Sequence, residues 1–186
     1  DEPLIVSAWG SLGAREMNKK IAQFMRCECE DGTPFHHIHA TGSFGWRWMP
    51  DYVKEQGVDL AAHPALDMRE YIYDMPQVLA AADLIICRAG AATIAEVCAS
   101  GTPCIMVPSP NVTGNHQEKK ARVLERSGAA AVVREADCDG KSLYETAKSI
   151  LSDAGRMRAM RASARDMAVV DAAERIYQTA LDLAKH

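Results

Sequence analysis

The chain has 186 residues, of which 48% are hydrophobic and 25% are charged, and these values predict one globular domain with a sizeable core. Its net charge of −4 lacks the basic excess that a nucleic-acid-binding surface requires. No apolar run approaches the ~20 residues of a membrane span, and the opening residues Asp1-Glu2-Pro3 do not form a signal peptide. Six cysteines without a secretory segment indicate reduced thiols. Because a predicted strand starts at residue 4, we expect a fragment or an excised domain of a longer chain.

Short apolar runs alternate with helix-compatible segments along the whole chain. This alternation is typical of right-handed βαβ units around a parallel sheet that is covered on both faces. The sequence therefore predicts an α/β fold, a Rossmann-like doubly wound parallel sheet, in a single domain of residues 1–186 whose last helices, about 155–186, form a satellite. The predicted strands are 4–8, 35–40, 58–63, 84–87, 104–107 and 130–133, and the predicted helices lie near 14–26, 47–56, 76–82, 92–100, 116–127, 141–152, 155–168 and 171–184.

The first polar turn, residues 9–14, follows the first predicted strand. Gly10, Ser11 and Gly13 precede a helix, and this arrangement suits a phosphate group. The turn is not a G-x-G-x-x-G fingerprint, and Arg15 stands in place of a P-loop lysine. Taken alone, a tight turn without a ligand is the better interpretation.

The second and most informative turn runs from Arg88 to Glu96. Small residues around Gly90 separate an apolar strand from a helix start, where free N–H groups and the helix dipole favour an anion. Thr93 adds a hydroxyl group, and Glu96 lies on the same helix face, where a ribose diol is a fitting partner. Spacing alone leaves a nucleotide site and simple close packing of helix on strand equally open.

Two further segments follow predicted strands. Residues 108–118 form a polar loop with two prolines, and His116 and Gln117 at its end could bond the hydroxyls of a sugar. An ordinary loop with an asparagine cap is a slightly better interpretation of this segment taken alone. In residues 71–75 the backbone beside Ile72 could contact a planar base, although a capped helix start has the same pattern.

Two groups of residues resemble metal ligands. Cys27 and Cys29 precede three histidines at 36, 37 and 39, but their spacing matches no common zinc pattern. Asp137 and Asp139 form a D-x-D sequence, for which we expect a helix-capping role. We therefore predict no metal site and no cofactor. Four late arginines have the spacing of a solvated helix face: Arg156, Arg158, Arg161 and Arg165.

Taken together, these segments resemble the donor-binding C-terminal domain of the MurG family of N-acetylglucosaminyltransferases. The resemblance covers essentially the whole chain, in order, and is carried by residues 10–15 with Asn18, 71–75, 82–93 with Glu96, and 108–117. It implies the C-terminal half of a GT-B glycosyltransferase that binds UDP-N-acetylglucosamine. It also implies an inverting transfer that converts lipid I to lipid II in peptidoglycan synthesis.

The resemblance also implies where the nucleotide would bind. The backbone donors of Ser11, Gly13 and Ala14 would lie under the pyrophosphate. Ile72 would flank the uracil and supply main-chain contacts, with Met75 nearby.

The remaining donor contacts implied by the resemblance fall in the second turn and the polar loop. Glu96 would accept both ribose hydroxyls, and His116 and Gln117 would hold hydroxyls of the N-acetylglucosamine ring. Arg88 matches a position that we expect to brace the loop. The second phosphate-binding turn would comprise Gly90, Ala91, Ala92 and Thr93.

Three residues depart from the family pattern. Trp9 stands where glycine is usual, His116 where some members have glutamine, and Lys120 where asparagine is common. These differences concern the sugar contacts more than the nucleotide.

The family's N-terminal domain, with its histidine that resembles a catalytic base and its apolar membrane patch, has no counterpart in these 186 residues. We therefore expect no catalytic residue in this chain, no activity of the fragment alone, and contact with lipid I and the membrane only through the missing domain, toward which the last helices would pack. The resemblance implies a cytoplasmic protein, peripheral on the inner membrane when complete. One alternative is a stand-alone transferase subunit that needs a separate membrane-bound partner. Another is a UDP-sugar epimerase of the same architecture, which the short chain and the 108–113 loop disfavour.

Overall fold

The computed structural model describes residues 2–184, and within them six parallel strands form one sheet in the order β3-β2-β1-β4-β5-β6. The predicted α/β doubly wound sheet is thus confirmed. The strands are β1 Leu4–Ala8, β2 His36–Ala40, β3 Leu66–Arg69, β4 Leu84–Cys87, β5 Cys104–Met106 and β6 Ala130–Val132. The helices are α1 Arg15–Glu30, α2 Met49–Glu55, α3 Met75–Ala81, α4 Ala91–Ser100, α5 His116–Arg126, α6 Gly140–Leu151, α7 Ala154–Asp166 and α8 Ala172–Ala184.

The strand order reverses between β1 and β4. β1 pairs with β2 on one side and with β4 on the other, where Ala8 lies beside Cys87. In open α/β sheets a ligand crevice forms at such a switch point, beyond the carboxyl ends of the strands. The fold therefore brings the turn after β1 and the turn after β4 next to each other.

The core lies on both faces of the sheet. Successive strand residues point to opposite faces, so Ile5 packs under α1 and α6 while Val6 packs under α3 and α4. All four residues of β4 are buried, as expected for a central parallel strand. This two-sided burial explains why β4 and β5 read as short, continuous apolar runs.

The strand predicted at 58–63 is wrong. That segment forms turns, in which Ala62 N–H donates to the carbonyl of Asp59 and the Asp59 carboxylate accepts from Ala61 N–H. A short aspartate side chain that bonds nearby backbone competes with strand pairing. The third strand is instead β3, an edge strand whose residues after Leu66 are only partly buried. Its weak hydrophobic pattern made it hard to see in the sequence.

Helix ends follow the predicted signals more closely. Gly57, Gly101 and Gly128 each follow a predicted helix, where the sequence favours a left-handed cap, and their φ values of 83°, 68° and 81° confirm it. Asp139 caps α6, because its carboxylate accepts from Ser142 N–H at 2.7 Å. The capping role predicted for the D-x-D sequence is therefore confirmed for its second aspartate.

A chain of fully buried polar side chains joins α1 to β1 and β2. His37 Nδ1 lies 2.9 Å from a carboxylate oxygen of Glu28, and Ser7 Oγ lies 2.7 Å from both His37 Nε2 and His39 Nδ1. All four residues have no exposed surface. His36 faces solvent on the opposite side of β2, as the strand alternation predicts. Ser7 and His37, in the middle of this chain of side chains, are thus hydrogen-bonded on both sides, whereas Glu28 and His39 at its ends are bonded on one side.

The last two helices differ in how they pack. α7 lies against α4 and α6, with Met160 and Ala164 buried and Arg161 paired to Asp83 at 3.0 Å. Within the described part of α8, no residue is buried. The predicted packing of residues 155–186 toward a second domain stays a prediction. No helix among residues 2–184 combines the length and apolar composition needed to cross a bilayer.

Candidate functional site

The turn after β1 is held by a close approach of two glycines. Gly13 (φ +80°) and Gly42 (φ +74°) lie back to back, and a Cβ atom on Gly13 would be 2.1 Å from the carbonyl oxygen of Thr41. The carbonyls of Ser11 and the next residue accept hydrogen bonds from the backbone of the loop after β2. The two loops therefore form one unit, and glycine is required because only it fits both the spacing and the positive φ.

Two helix N-termini meet at the carboxyl edge of the sheet. α1 starts after Ala14, directly beyond β1, and α4 starts after Gly90, directly beyond β4. Neither N-cap residue makes a side-chain cap bond, so the first N–H groups of both helices remain open to a ligand. Each helix is at least ten residues long, and its dipole favours an anion at this end.

A cavity of about 160 Å³, here called the edge cavity, opens between the turn after β1 and the starts of α3 and α4. Its floor is formed by strand residues, including Ile85 and Cys87, and its wall includes the exposed ring of Tyr71. It brings together five of the residues that the sequence proposed for the nucleotide, namely Ser11, Ile72, Met75, Thr93 and Glu96.

Glu96 and Cys87 line the same cavity, and the charge of Glu96 acts on the Cys87 thiol. Burial, and secondarily the charge of Glu96, raise the pKa of Cys87 to about 12. The thiol is therefore protonated at neutral pH and contributes an apolar, uncharged surface. Glu96 itself is exposed, so its carboxylate is free to accept hydrogen bonds from a bound molecule.

A second cavity of about 420 Å³, here called the α1 cavity, lies beside the first turn of α1. It contains three further residues proposed from the sequence, Gly13, Ala14 and Gln117, and the proposed brace Arg88. Gly90, Ala91 and Ala92 form the start of α4 and line neither cavity. The predicted residues thus divide between two adjoining cavities at one edge of the sheet.

Arg88 connects the loops around the α1 cavity. Its guanidinium donates to the carbonyls of Val107 and Pro108 at 3.1 and 3.2 Å and forms an ion pair with Glu135 at 2.6 Å. It also lies over the ring of Trp9, 5.7 Å from the centroid. These contacts tie the turn after β4 to the loop after β5, and Glu135 balances the charge of Arg88.

The two residues proposed to contact a sugar occupy different environments. Gln117 lines the α1 cavity, and its Oε1 accepts from Ser109 N–H at 2.9 Å, which leaves the amide NH₂ available to donate. His116 is exposed at the start of α5 and lines neither cavity. Its Nδ1 lies 3.0 Å from the carbonyl of Thr113, so Nδ1–H donates there and Nε2 is the free acceptor.

Sequence reasoning missed the loop after β2 and the aromatic residues around it. Trp48, at the start of α2, carries the guanidinium of Arg15 over its ring at 4.8 Å. Tyr71 lines the edge cavity, and Gly42 supports the turn after β1. Gly42, which follows the predicted strand 35–40, was the available signal for this loop in the sequence, because a loop at the carboxyl edge of the sheet belongs to the crevice.

Other features do not form a competing site. Among residues 2–184, no group of three or more His, Cys, Asp or Glu side chains could hold a metal ion. A larger cavity of about 610 Å³ lies between the C-terminal half of α1 and α6, away from the carboxyl edge. It is lined by side chains of both charges, such as Arg26, Glu30 and Lys148, and the N-termini of α1 and α4 do not contribute to it.

Comparison with known proteins identifies the family of this chain. The profile of the glycosyltransferase family 28 C-terminal domain matches residues 5–176. The chain belongs to this family. The family 28 domain therefore accounts for nearly all of the described fold, including both cavities.

Curated relatives of this family 28 domain are MurG-type transferases. The UDP-N-acetylglucosamine--N-acetylmuramyl-(pentapeptide) pyrophosphoryl-undecaprenol N-acetylglucosamine transferase of Acetivibrio thermocellus is 38% identical over 186 residues, which cover 100% of this chain and 49% of that protein. The protein of the same name from Caldanaerobacter subterraneus subsp. tengcongensis is 40% identical over 177 residues, 95% of this chain and 47% of that protein. The chain thus spans about half the length of the curated relatives it matches.

Solved structures agree on the fold. The crystal structure of Acinetobacter baumannii MurG matches with a TM-score of 0.79 and 26% identity, over 96% of this chain and 52% of that one. A co-structure of S. aureus MnaA with UDP matches with a TM-score of 0.66 over 95% of this chain and 45% of that one, but at 16% identity it supports the fold alone. The predicted resemblance to the MurG family is confirmed.

Proposed function

We propose that this family 28 domain binds UDP-N-acetylglucosamine as the donor half of an inverting N-acetylglucosaminyltransferase. In the complete protein, the reaction would convert lipid I to lipid II. The observation that carries the proposal is the edge cavity, because it gathers an apolar slot, a hydroxyl group and a carboxylate beside a helix N-terminus.

The chemistry of the edge cavity supports a uridine. Ile72 and Met75 offer apolar faces for a flat base, and the backbone beside Ile72 offers N–H and C=O groups for its edge. Glu96 would accept hydrogen bonds from both ribose hydroxyls, and Thr93 would add a hydroxyl group near the phosphates. A carboxylate next to a phosphate site is otherwise unfavourable, so its presence supports a ligand that carries a diol.

The leaving group would be stabilised by the two helix N-termini. In the reaction, UDP departs with growing negative charge on its phosphate oxygens, and backbone donors aimed at that charge lower the barrier. The backbone donors of Ser11 and Ala14 would hold the pyrophosphate from one side and residues 90–93 from the other, with Gly13 beneath it, since the Gly13 N–H donates to the carbonyl of Gly10. The free amide of Gln117, together with His116, would bind hydroxyls of the sugar.

The rest of the reaction would require the other half of the protein. An acceptor hydroxyl needs a general base, and neither cavity of the described chain offers a histidine as a base. We infer that the base, the lipid I site and the membrane contact lie in the half that the relatives carry in the same chain. The complete protein would then act at the cytoplasmic face of the membrane, and this chain alone would be inactive.

Titration with nucleotides tests the donor site directly. We expect calorimetry to detect binding of UDP and UDP-N-acetylglucosamine and no comparable binding of ADP. Glu96→Ala should weaken UDP binding by about 1–3 kcal/mol, the range for a lost hydrogen bond to a charged group. Absence of any uridine preference would refute the proposed function.

Glu70→Ala is the matched control for Glu96→Ala. Glu70 is another exposed glutamate near the carboxyl edge, but it lines neither cavity. Its replacement should leave UDP affinity unchanged. If both variants or neither variant weakened binding, Glu96 would have no specific role at the ribose.

A further inference from the structure

Arg15 and Arg88 both line the α1 cavity, but they differ in how their charges are balanced. Arg88 is paired with Glu135 and bonded to two carbonyl oxygens, so its charge is largely neutralised. Among the described residues, Arg15 forms no ion pair. The adjacent Glu16 is directed to Lys19, with which it pairs at 2.9 Å. Of the two cationic side chains that line the α1 cavity, only Arg15 therefore lacks a carboxylate partner among residues 2–184.

Arg15 is nevertheless held in place. Its guanidinium carbon lies 4.8 Å from the centroid of the Trp48 ring, a distance at which a cation is attracted to the face of an indole. Trp48 is itself fixed, because it packs edge to face on Tyr52 at 5.6 Å and against the core. An arginine stacked on an aromatic ring keeps its N–H groups free for an anion in the plane of the guanidinium.

The location of Arg15 gives this charge a target. It is the first residue of α1, next to Gly13 and Ala14 in the chain and in the cavity lining. A nucleoside diphosphate bound at this helix N-terminus would bring about two negative charges close to it. The helix end offers the equivalent of only about half a positive charge.

We propose that Arg15, positioned by Trp48, binds the terminal phosphate of the nucleoside diphosphate and stabilises it as a leaving group. This inference rests on the proposed function. It adds a residue to the diphosphate site that is separate from the backbone donors of the turn, and it assigns Trp48, in the loop after β2, as the residue that positions it.

The test compares the affinities of the full chain for UDP and for uridine. Arg15→Gln should weaken UDP binding by about tenfold, the scale of one charge-assisted hydrogen bond, and leave uridine binding unchanged. Arg47→Gln, which removes an exposed arginine of the same region that lines neither cavity, should change neither affinity. An unchanged UDP affinity of Arg15→Gln, or an equal loss for UDP and uridine, would overturn the inference.

Two Trp48 variants test the positioning role. Trp48→Phe keeps an aromatic face and should retain most of the UDP affinity, whereas Trp48→Leu should lose a part of it while uridine binding is unchanged. Equal UDP affinities for the two variants would overturn the role of Trp48.

The UDP affinities of the wild-type chain and of Arg15→Gln also separate this inference from the proposed function. If the wild-type chain fails to bind UDP, the proposed function falls together with this inference, but if it binds UDP and Arg15→Gln binds equally well, only this inference falls.

Discussion

At the scale of single residues, the turn after β1 depends on two glycines that have no side chain. Gly13 and Gly42 let two loops approach at a distance that no other residue allows. Their contact fixes the direction in which α1 begins, and hence the direction of its first N–H groups. The turn after β1, which was a weak signal for a ligand site in the sequence, is therefore a fixed part of the candidate site. The sequence could not show this because the partner glycine lies 29 positions further along the chain.

Replacing Gly13 with alanine should cost more than backbone strain alone. The strain of a positive φ is about 1–3 kcal/mol, and at Gly13 a clash with the carbonyl of Thr41 adds to it. Gly32→Ala is a matched control, because Gly32 has the same φ of +80° and nothing within 4 Å of the added atom. Urea denaturation should show a larger loss of unfolding free energy for Gly13→Ala. Equal losses for the two variants would contradict the described contact.

At the scale of elements, the buried chain from Glu28 to His39 binds α1 to the two central strands that precede the crevice. His39 is the residue of this chain whose pKa responds most clearly to burial. Burial, and secondarily the neighbouring His37, lower the pKa of His39 well below its usual value of 6.5, while a bond with Ser7 opposes the shift. The folded protein therefore keeps His39 neutral at a pH where the unfolded chain would protonate it.

The stability of the fold should consequently decrease as the pH falls below 6.5. Where only the unfolded state takes up the His39 proton, the unfolding free energy falls by up to about 1.4 kcal/mol per pH unit. Above pH 6.5 this contribution is fully present. Denaturation between pH 7.5 and 5 should show the slope, and His39→Asn should reduce it whatever its effect at neutral pH.

His36→Gln controls for histidine content in this experiment. His36 is the neighbouring histidine of the same strand, but it is more than half exposed. Its removal should leave the pH slope of the unfolding free energy nearly unchanged. A slope that survives in His39→Asn would assign the acid sensitivity to other groups.

The elements that the sequence predicted well are those whose signals are local. β1 and β4 match their predicted bounds because buried central strands are mostly apolar, and the three glycine caps follow directly from residue type. β3 was misplaced because an edge strand is half exposed and the preceding turn contains a short apolar run. The pairing of Arg15 with Trp48 was invisible because it depends on the fold of a loop without a motif.

At the scale of the whole molecule, the chain divides into a packed body and one helix, α8, of which no residue is buried. α7 belongs to the body, since Arg165 lies against Gly101 and Ala164 is buried, whereas α8 leaves Ile176 and Leu183 at 70% and 73% exposure. Relatives about twice as long supply a second half that could cover such a face. Neither cavity of the proposed donor site uses a residue of α8.

Two truncations should therefore behave differently. Removal of residues 169–186 should leave UDP affinity unchanged and the unfolding free energy within about 0.5 kcal/mol, because the described residues of this segment, 169–184, are all exposed. Removal of residues 154–186 should destabilise the fold strongly, since it also exposes the surfaces of α4 and α6 that α7 covers. Thermal unfolding with and without UDP measures both effects. A marked loss of stability in the shorter truncation would show that α8 packs on the body.

The thiol of Cys87 gives the edge cavity a practical property for inhibitor chemistry. A cysteine beneath a proposed nucleotide site is an evident target for covalent ligands, but electrophiles react with the thiolate, and a pKa of about 12 keeps that form scarce at neutral pH. Electrophilic fragments should therefore leave Cys87 unmodified. The same sulfur is polarisable, and Ile85 and Met75 line the same cavity, so reversible compounds that place a halogen or thioether there are the better starting point.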